Sequence, residues 1–358
     1  MTFQRLLIAN RGEIAIRIAR AAADLALETV AVHSPDDSSS LHVRHADTAV
    51  RLDGRGAAAY LDIAQLVEIA RRTGCDAVHP GCGFLSENPA FALALAEAGI
   101  AFVGPTAELL ELFGDKLKAK ALAREAGVPI AAGTTGATTP EEARAFFASL
   151  PRGESVLVKA IAGGGGRGMR VVAAIDELHA AMERCRSEAL SAFGDGSVYV
   201  ERLVPHARHI EVQVAGDGRG NVTHLWEREC TLQRRHQKLV EIAPSPGLSR
   251  SLRQRLIDSA LVMATRARYL GLGTFEFLVP NGGDAASGFI FIECNPRLQV
   301  EHTVTEAITG VDLVRSQLLL ADGASLAEAG LDPQAIPQPR GAAIQLRVNM
   351  ETMLPDGQ

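Results

Sequence analysis

Arg5-Leu6-Leu7-Ile8-Ala9-Asn10 is a short apolar run. After Arg11-Gly12-Glu13 the apolar positions change period, so that Ile14, Ile18 and Ala21–Ala22 fall on one helical face. The pattern predicts a strand, a turn and a helix. It recurs in an apolar run at Thr29–Val32, a helix from Leu61 to Arg71, a run at Ala77–His79, a helix from Asn88 to Ala98 and a run at Ile100–Val103. Strands alternating with helices predict an α/β unit, a Rossmann-like, doubly wound parallel sheet over residues 1–113.

Beyond Gly114 the pattern changes. Helices around Asp115–Ala126 and Pro140–Leu150 lead to a strand at Ser155–Ala160, and strands at Ser197–Glu201, Arg208–Ala215 and Val222–Glu227 predict an antiparallel arrangement. A long amphipathic helix over Ser249–Tyr269 precedes strands at Gly273–Val279 and Gly288–Asn295. The stretch Pro280–Ser287 between those two reads as a hairpin connection, because its Asn-Gly and Gly-Gly pairs supply positive φ. The second part is therefore an α+β unit with a mixed or antiparallel sheet, and the chain has no internal repeat and no long linker.

With 358 residues, 47% of them hydrophobic, the chain can build two or three packed cores and is not a disordered sequence. Its formal charge of −6 comes from 36 basic and 42 acidic residues that are interleaved rather than blocked. That distribution argues against a nucleic-acid-binding stripe and against a polybasic membrane patch. The longest apolar stretch, Phe91 to Val103, is broken by Glu97 and too short to span a bilayer, and the N-terminus runs into a strand rather than a signal sequence, so a cytoplasmic location is expected. Five widely spaced cysteines with no C-x-x-C pair suit neither a disulfide framework nor a zinc site.

Of the 36 basic residues only five are Lys: Lys116, Lys118, Lys120, Lys159 and Lys238. In an arginine-dominated chain these compact ammonium groups are candidates for meeting a phosphate or small anion as point charges, although Lys118 and Lys120 read equally well as residues of a solvated helix face. The turn Asn10-Arg11-Gly12-Glu13-Ile14 has a single glycine and lacks the G-x-G-x-x-G that admits a dinucleotide pyrophosphate. By contrast, Gly163, Gly164, Gly165 and Gly166 directly follow the strand that carries Lys159, and adjacent glycines can aim several backbone N–H groups at one anion. This loop is not a Walker A, because no Gly-Lys-Ser/Thr ends it.

Two later strands carry acids in alternation. Glu276 shares a face with Thr274 and Leu278, opposite Phe275 and Phe277, and Glu293, Asn295 and Arg297 share a face with Ile292 and Cys294 turned away. Carboxylates and an amide oxygen on neighbouring strands are what Mg²⁺ takes when nucleotide phosphates complete its shell. Arg297 and Lys238 could hold a small oxyanion, and Glu301 could take its proton. Taken singly, His236 and His302 read as structural residues.

The motifs Ile8-Ala9-Asn10-Arg11-Gly12-Glu13-Ile14-Ala15, His79-Pro80-Gly81-Cys82-Gly83-Phe84-Leu85-Ser86-Glu87-Asn88, Gly114-Asp115-Lys116, the glycine loop, Gln233-Arg234-Arg235-His236-Gln237-Lys238 and Arg297-Leu298-Gln299-Val300-Glu301-His302 occur in one order along nearly the whole chain. Together they resemble the biotin carboxylase domain of biotin-dependent carboxylases. The resemblance implies an ATP-grasp fold behind the N-terminal Rossmann-like domain. It divides the chain into residues 1–113, a helical linker at 114–130, a lid subdomain at 131–204, and at 205–358 the central subdomain with the start of a C-terminal one. It further implies that Lys116, Lys159 and the four glycines meet ATP phosphates. Glu201 and Leu203 would lie near adenine, with His209, Gln233, His236, Glu276 and Leu278 lining the nucleotide site. Glu276, Glu293 and Asn295 would bind Mg²⁺ or Mn²⁺. Lys238, Arg297, Gln299 and Val300 would hold bicarbonate with Glu301 as its base, and Arg347 would stabilise the biotin enolate.

The implied reaction is carboxylation of biotin by bicarbonate through carboxyphosphate. Three departures mark this chain within the family: Cys82 where Tyr is usual, Gln345-Leu346-Arg347-Val348-Asn349 where Glu-Cys-Arg-Ile-Asn is usual, and Glu-Cys-Asn-Pro-Arg on the metal strand. They suggest a divergent branch of the acyl-CoA carboxylase type, a single-chain multidomain member. Family members continue past Gln358, and no Met-Lys-Met biotinylation site occurs here. The expected partners are therefore a biotin carboxyl carrier domain and a carboxyltransferase on the same or a separate chain, and the full-length form is expected to be a homo-oligomer. The rival readings are another ATP-grasp ligase, such as a carbamoyl-phosphate synthase-like domain, and a nucleotide-binding regulatory module without chemistry.

Overall fold

The computed structural model describes residues 2–162, 168–280 and 288–348. Its first part runs β1 (Arg5–Ile8), α1 (Gly12–Asp24), β2 (Glu28–His33), α2 (Leu41–His45), β3 (Thr48–Arg51), α3 (Ile63–Arg72), β4 (Ala77–His79), α4 (Pro89–Glu97) and β5 (Ala101–Phe102). All strand pairs are parallel and the sheet order is β3-β2-β1-β4-β5, which is the doubly wound arrangement expected from the alternation. The short strand β3, mostly exposed at the sheet edge, has no apolar run to announce it.

In such sheets the crevice beyond the carboxyl ends of β1 and β4, where the strand order reverses, is the usual ligand position. Asn10 fills it here. Its Nδ2 donates to the carbonyl oxygens of Pro80 at 2.7 Å and Cys82 at 3.0 Å. Gly81 stands against it at φ +68°, and a Cβ there would lie 2.7 Å from Asn10 Nδ2, so only glycine fits both the backbone and the contact.

After α5 (Ala107–Gly114), helix α6 (Lys116–Glu125) is capped by Asp115, which accepts from Leu117 N and Lys118 N. Then come α7 (Pro140–Ser149), β6 (Val156–Ala160), β7 (Met169–Val172), α8 (Leu178–Phe193) and β8 (Val198–Arg202). They form a small antiparallel sheet in the order β7-β6-β8 with its own core around Val158, Met182 and Val200.

The remaining elements are β9 (Ala207–Asp217), β10 (Val222–Arg234), β11 (Gln237–Ala243), α9 (Arg250–Arg266), β12 (Leu270–Pro280), β13 (Ile290–Asn295), α10 (His302–Thr309), α11 (Leu313–Ala321) and β14 (Ala343–Leu346). The sheet order is β13-β12-β9-β10-β11-β14, antiparallel throughout. Strand β10 runs on to Arg234 rather than stopping at Glu227 and turns into β11, a hairpin that the polar composition of this stretch concealed. The expected connection at Pro280–Ser287 falls on residues 281–287, outside the described residues, but the strands it would join are antiparallel neighbours.

The alternation on β12 has the expected consequence. Phe275 and Phe277 pack with Ile257, Met263 and Phe291, while Glu276 lies on the opposite face. Glu276 pairs with Glu293 but Phe277 pairs with Phe291, so Ile292 is an extra residue in the ladder. This bulge keeps Phe291 in the core and Glu293 on the polar face. A second core joins Leu6, Ile14 and Ile18 to Leu298, Leu313 and Leu318, and so seats the first sheet against the end of the large one. No described helix is long and apolar enough to cross a membrane.

Candidate active site

The polar face of the large sheet gathers charge from successive strands. Lys238 on β11 directs its ammonium at three carboxylates: Glu211 Oε2 on β9 at 2.5 Å, Glu276 Oε1 on β12 at 2.8 Å and Glu301 Oε1, just before α10, at 2.8 Å. Burial opposes the Lys238 charge, but the carboxylates, Glu211 foremost, outweigh it and hold the ammonium well above the ordinary lysine range. Glu211 is itself gripped by Arg228, a fully buried guanidinium on β10. Arg228 also reaches Gln213 Oε1 at 2.8 Å, Thr305 Oγ1 at 2.8 Å and Thr274 Oγ1 at 3.1 Å.

Glu301 is 0% exposed and cradled from both sides. Opposite Lys238, its Oε2 accepts from Arg347 Nη2 at 2.7 Å, and Arg347 Nε donates to Glu241 Oε1 at 2.6 Å. The pairing of β14 with β11, continued by Arg347 N on Leu239 O at 2.9 Å, brings the arginine there. Burial raises the Glu241 carboxyl above its usual range, although Arg347 counters it.

Arg297 spans the seam between the two large sheets. Its Nε donates to Glu87, in the segment that follows β4, its Nη1 to Gln299 Oε1 at 3.0 Å and its Nη2 to Asn295 Oδ1 at 3.3 Å. Burial works against the guanidinium charge and Glu87 more than offsets it. Val300, next to this group, is half-buried.

On β12 and β13 the expected oxygen ligands are adjacent. Glu276 and Glu293 are cross-strand partners, and Asn295 Nδ2 lies 2.6 Å from Glu276 Oε1. The other Glu276 oxygen meets His209 Nε2 at 2.5 Å, and Gln233 Nε2 lies 2.9 Å from His209 Nδ1. Burial would raise the Glu276 carboxyl, but Lys238 and His209 hold it far below the usual carboxylate range. In return Glu276 overcomes burial and raises His209. Leu278 pairs with His209 across the strands. His236 is exposed in the two-residue turn between β10 and β11, at φ 66°.

The lysine cluster lies where α6 meets the small sheet. Lys116, Lys120 and Lys159 are all buried, whereas Lys118 is exposed. Glu201 on β8 accepts from Lys159 Nζ at 3.2 Å through one oxygen and from Lys120 Nζ through the other. Burial alone would raise the Glu201 carboxyl; the two ammonium groups lower it. Leu203 is anchored by its N–H on Ser155 O at 2.9 Å. Gly163, Gly164, Gly165 and Gly166 lie outside the described residues.

The structure thus brings together Lys238, Glu301, Arg347, Arg297 and Gln299, beside them Glu276, Glu293, Asn295, His209 and Gln233, and at the small sheet Lys116, Lys159 and Glu201. Of the two readings the sequence left open for Lys120, the solvated face fails, since it is buried against Glu201; Glu211, Arg228, Glu241 and the role of Glu87 were not read from the sequence at all. Two of these had a signal. Lys116 and Lys120 are i, i+4 on one helix face, and His209-Ile210-Glu211-Val212-Gln213 alternates as β12 does.

Comparison with known proteins agrees along the chain. Residues 2–110 match the family model described as biotin carboxylase, N-terminal domain, and residues 115–329 match that described as carbamoyl-phosphate synthase L chain, ATP binding domain. The pyruvate carboxylase of Staphylococcus aureus is 49% identical over 357 residues, which cover 99% of this chain and 30% of that protein. The pyruvate carboxylase of Bacillus subtilis is 49% identical over 358 residues, covering 98% of this chain and again 30% of the relative. The chain therefore spans about a third of the length of these curated relatives. Among solved structures, the biotin carboxylase domain dimer of Hydrogenobacter thermophilus 2-oxoglutarate carboxylase, in complex with MgADP, ADP and bicarbonate, superposes with a TM-score of 0.91 at 41% identity. That match covers 98% of this chain and 76% of the other. The biotin carboxylase domain of a single-chain bacterial carboxylase gives a TM-score of 0.84 at 53% identity, covering 98% and 75%.

Proposed function

Because the chain belongs to the biotin carboxylase domains of biotin-dependent carboxylases, ATP-dependent ligases, we propose that the Glu301 cradle is where it activates bicarbonate and that the lysine cluster is where it holds ATP. The observation that carries this reading is the enclosed Glu301 carboxylate, set between Lys238 and Arg347 with Arg297 beside it. A carboxylate flanked by cations can take the bicarbonate proton while the same cations hold the resulting anion.

In this reading Lys238, Arg297, Gln299 and Val300 position bicarbonate, and Glu301 removes its proton as it attacks the γ-phosphate of ATP to give carboxyphosphate. Lys116 and Lys159, with Gly163–Gly166, offset charge on the transferring phosphoryl group, while the main chain at Glu201 and Leu203 faces adenine, the Glu201 carboxylate being held by Lys120 and Lys159, and His209, Gln233, His236 and Leu278 line the nucleotide. Glu276, Glu293 and Asn295 are hard oxygen donors on paired strands, and that set suits Mg²⁺ or Mn²⁺. A bound ion there supplies further charge neutralisation to the phosphates. Carboxyphosphate then cleaves into CO₂ and phosphate, the released phosphate takes the ureido N–H proton of biotin, and Arg347, released from Glu301, stabilises the resulting enolate while the ureido nitrogen captures CO₂ in a site closed to water.

Biotin arrives on a carrier domain and leaves toward a carboxyltransferase, each on the same or a separate chain, in a homo-oligomer. The named relatives act on pyruvate or 2-oxoglutarate, so a 2-oxo acid stands beside an acyl-CoA thioester as the final acceptor. Assaying both acceptors with the full-length protein separates them. The test of the reading itself is phosphate release from ATP by the full-length protein, with and without bicarbonate and biotin, against Glu301→Gln. Release should require bicarbonate, rise with biotin and collapse in the variant; release indifferent to both additions overturns it.

A further inference from the structure

Lys120 occupies a position that no phosphate-binding motif marks. It lies one helical turn beyond Lys116 on α6, its side chain is 8% exposed, and its ammonium contacts Glu201 while lying 4.7 Å from the centre of the Tyr199 ring. Burying an ammonium is costly unless it is paired, and a solvated lysine would have served the helix equally well, as Lys118 does.

The charges around Glu201 explain what the extra lysine accomplishes. Lys159 alone on Glu201 would form a neutral pair, and a neutral pair offers a polyphosphate no net attraction. With Lys120 on the second oxygen, the Lys120–Glu201–Lys159 group carries one net positive charge, and Glu201 is fixed at both oxygens. Lys159 is then oriented by Glu201 without being neutralised by it. We propose that Lys120 is a positioning residue of the nucleotide site, which compensates the Glu201 carboxylate so that Lys159 keeps an effective positive charge for the ATP phosphates. The inference rests on the reading that nucleotide phosphates meet Lys159.

The experiment is calorimetric titration of the full-length protein with ADP, together with its thermal unfolding, for the wild type and for Lys120→Gln, Lys120→Arg and the double variant Lys120→Gln/Glu201→Gln. Removing one charge from this cluster should weaken ADP binding roughly tenfold. Lys120→Arg should bind within about twofold of wild type. The double variant should regain most of the lost affinity, because Lys159 no longer has a carboxylate to neutralise it. A lysine that only supports the fold would leave the double variant as weak as Lys120→Gln, and that result overturns the proposal. So does undiminished ADP binding by a folded Lys120→Gln. Failure of the wild type to bind ADP would bring down the nucleotide reading, and this inference with it.

Discussion

Glu87, in the segment after β4 of the parallel sheet, accepts a hydrogen bond from Nε of Arg297, beyond β13 of the antiparallel one. The guanidinium proposed to hold bicarbonate in one unit is thus aimed by a carboxylate of the other. With that partner gone, Arg297 keeps its charge but loses its fixed direction. Glu87→Gln should raise the KM for bicarbonate about tenfold or more, the equivalent of one charge-assisted hydrogen bond. Steady-state phosphate release at varied bicarbonate measures it, and an unchanged KM would remove Glu87 from the site.

Arg228 is the keystone of the buried network beneath Lys238, since it ties Glu211 to Gln213, Thr274 and Thr305. Arg228→Met leaves Glu211 facing only Lys238 in a dry interior, and should destabilise the fold by about 3–5 kcal/mol. Adding Glu211→Gln should restore part of that loss. Urea unfolding of the two variants reports both effects.

His79 ends β4 and is fully buried, with Nδ1 accepting from Gly81 N at 3.0 Å, and burial pushes its pKa down to about 3 from an ordinary value of 6.5. Below pH 6.5 the unfolded chain takes up a proton that the folded chain refuses. The stability contribution is therefore present above pH 6.5 and lost as pH falls toward 3, by about 1.4 kcal/mol per unit. His79→Gln should flatten the stability profile between pH 6 and 4, as followed by thermal unfolding at fixed ionic strength. An unchanged slope would place the acid sensitivity elsewhere.

Gly81→Ala should destabilise by about 1–3 kcal/mol, because it adds a Cβ at φ +68° and drives it against Asn10. Asn10→Ala in the same chain should relieve the contact but not the backbone strain, so the double variant should recover only part of the stability. A double variant as stable as wild type would show that the contact was the whole cost.

Most of the parallel unit was legible because its strands are buried apolar runs and its helices carry one apolar stripe. The bulged strand β13 was legible for the opposite reason, the alternation of its polar residues. What escaped were strands whose stabilisation is mostly long-range. β3 is exposed, and β14 is paired on one edge by residues about a hundred positions earlier. The site followed the same division. Glu301 and Lys238 could be picked out by charge type and motif, whereas Arg228 is one arginine among many, and nothing local distinguishes a guanidinium that will be buried between neighbouring strands and a helix from one left in solvent. For Lys120 the sequence left the solvated-face and phosphate readings equal, because burial of its helix face depends on the small sheet that folds over it.

The cradle around Glu301 is closed by a latecomer. Lys238 belongs to an interior strand, but Arg347 follows β14, the outermost strand, whose Ile344 and Leu346 are 63% and 64% exposed. During synthesis the carboxylate therefore emerges well before the arginine that completes it, and an outer strand held along one side is the first part to fray. A copy interrupted before β14 would keep its lysine cluster and the paired acids of β12 and β13, yet its Glu301 carboxylate would be held by Lys238 alone.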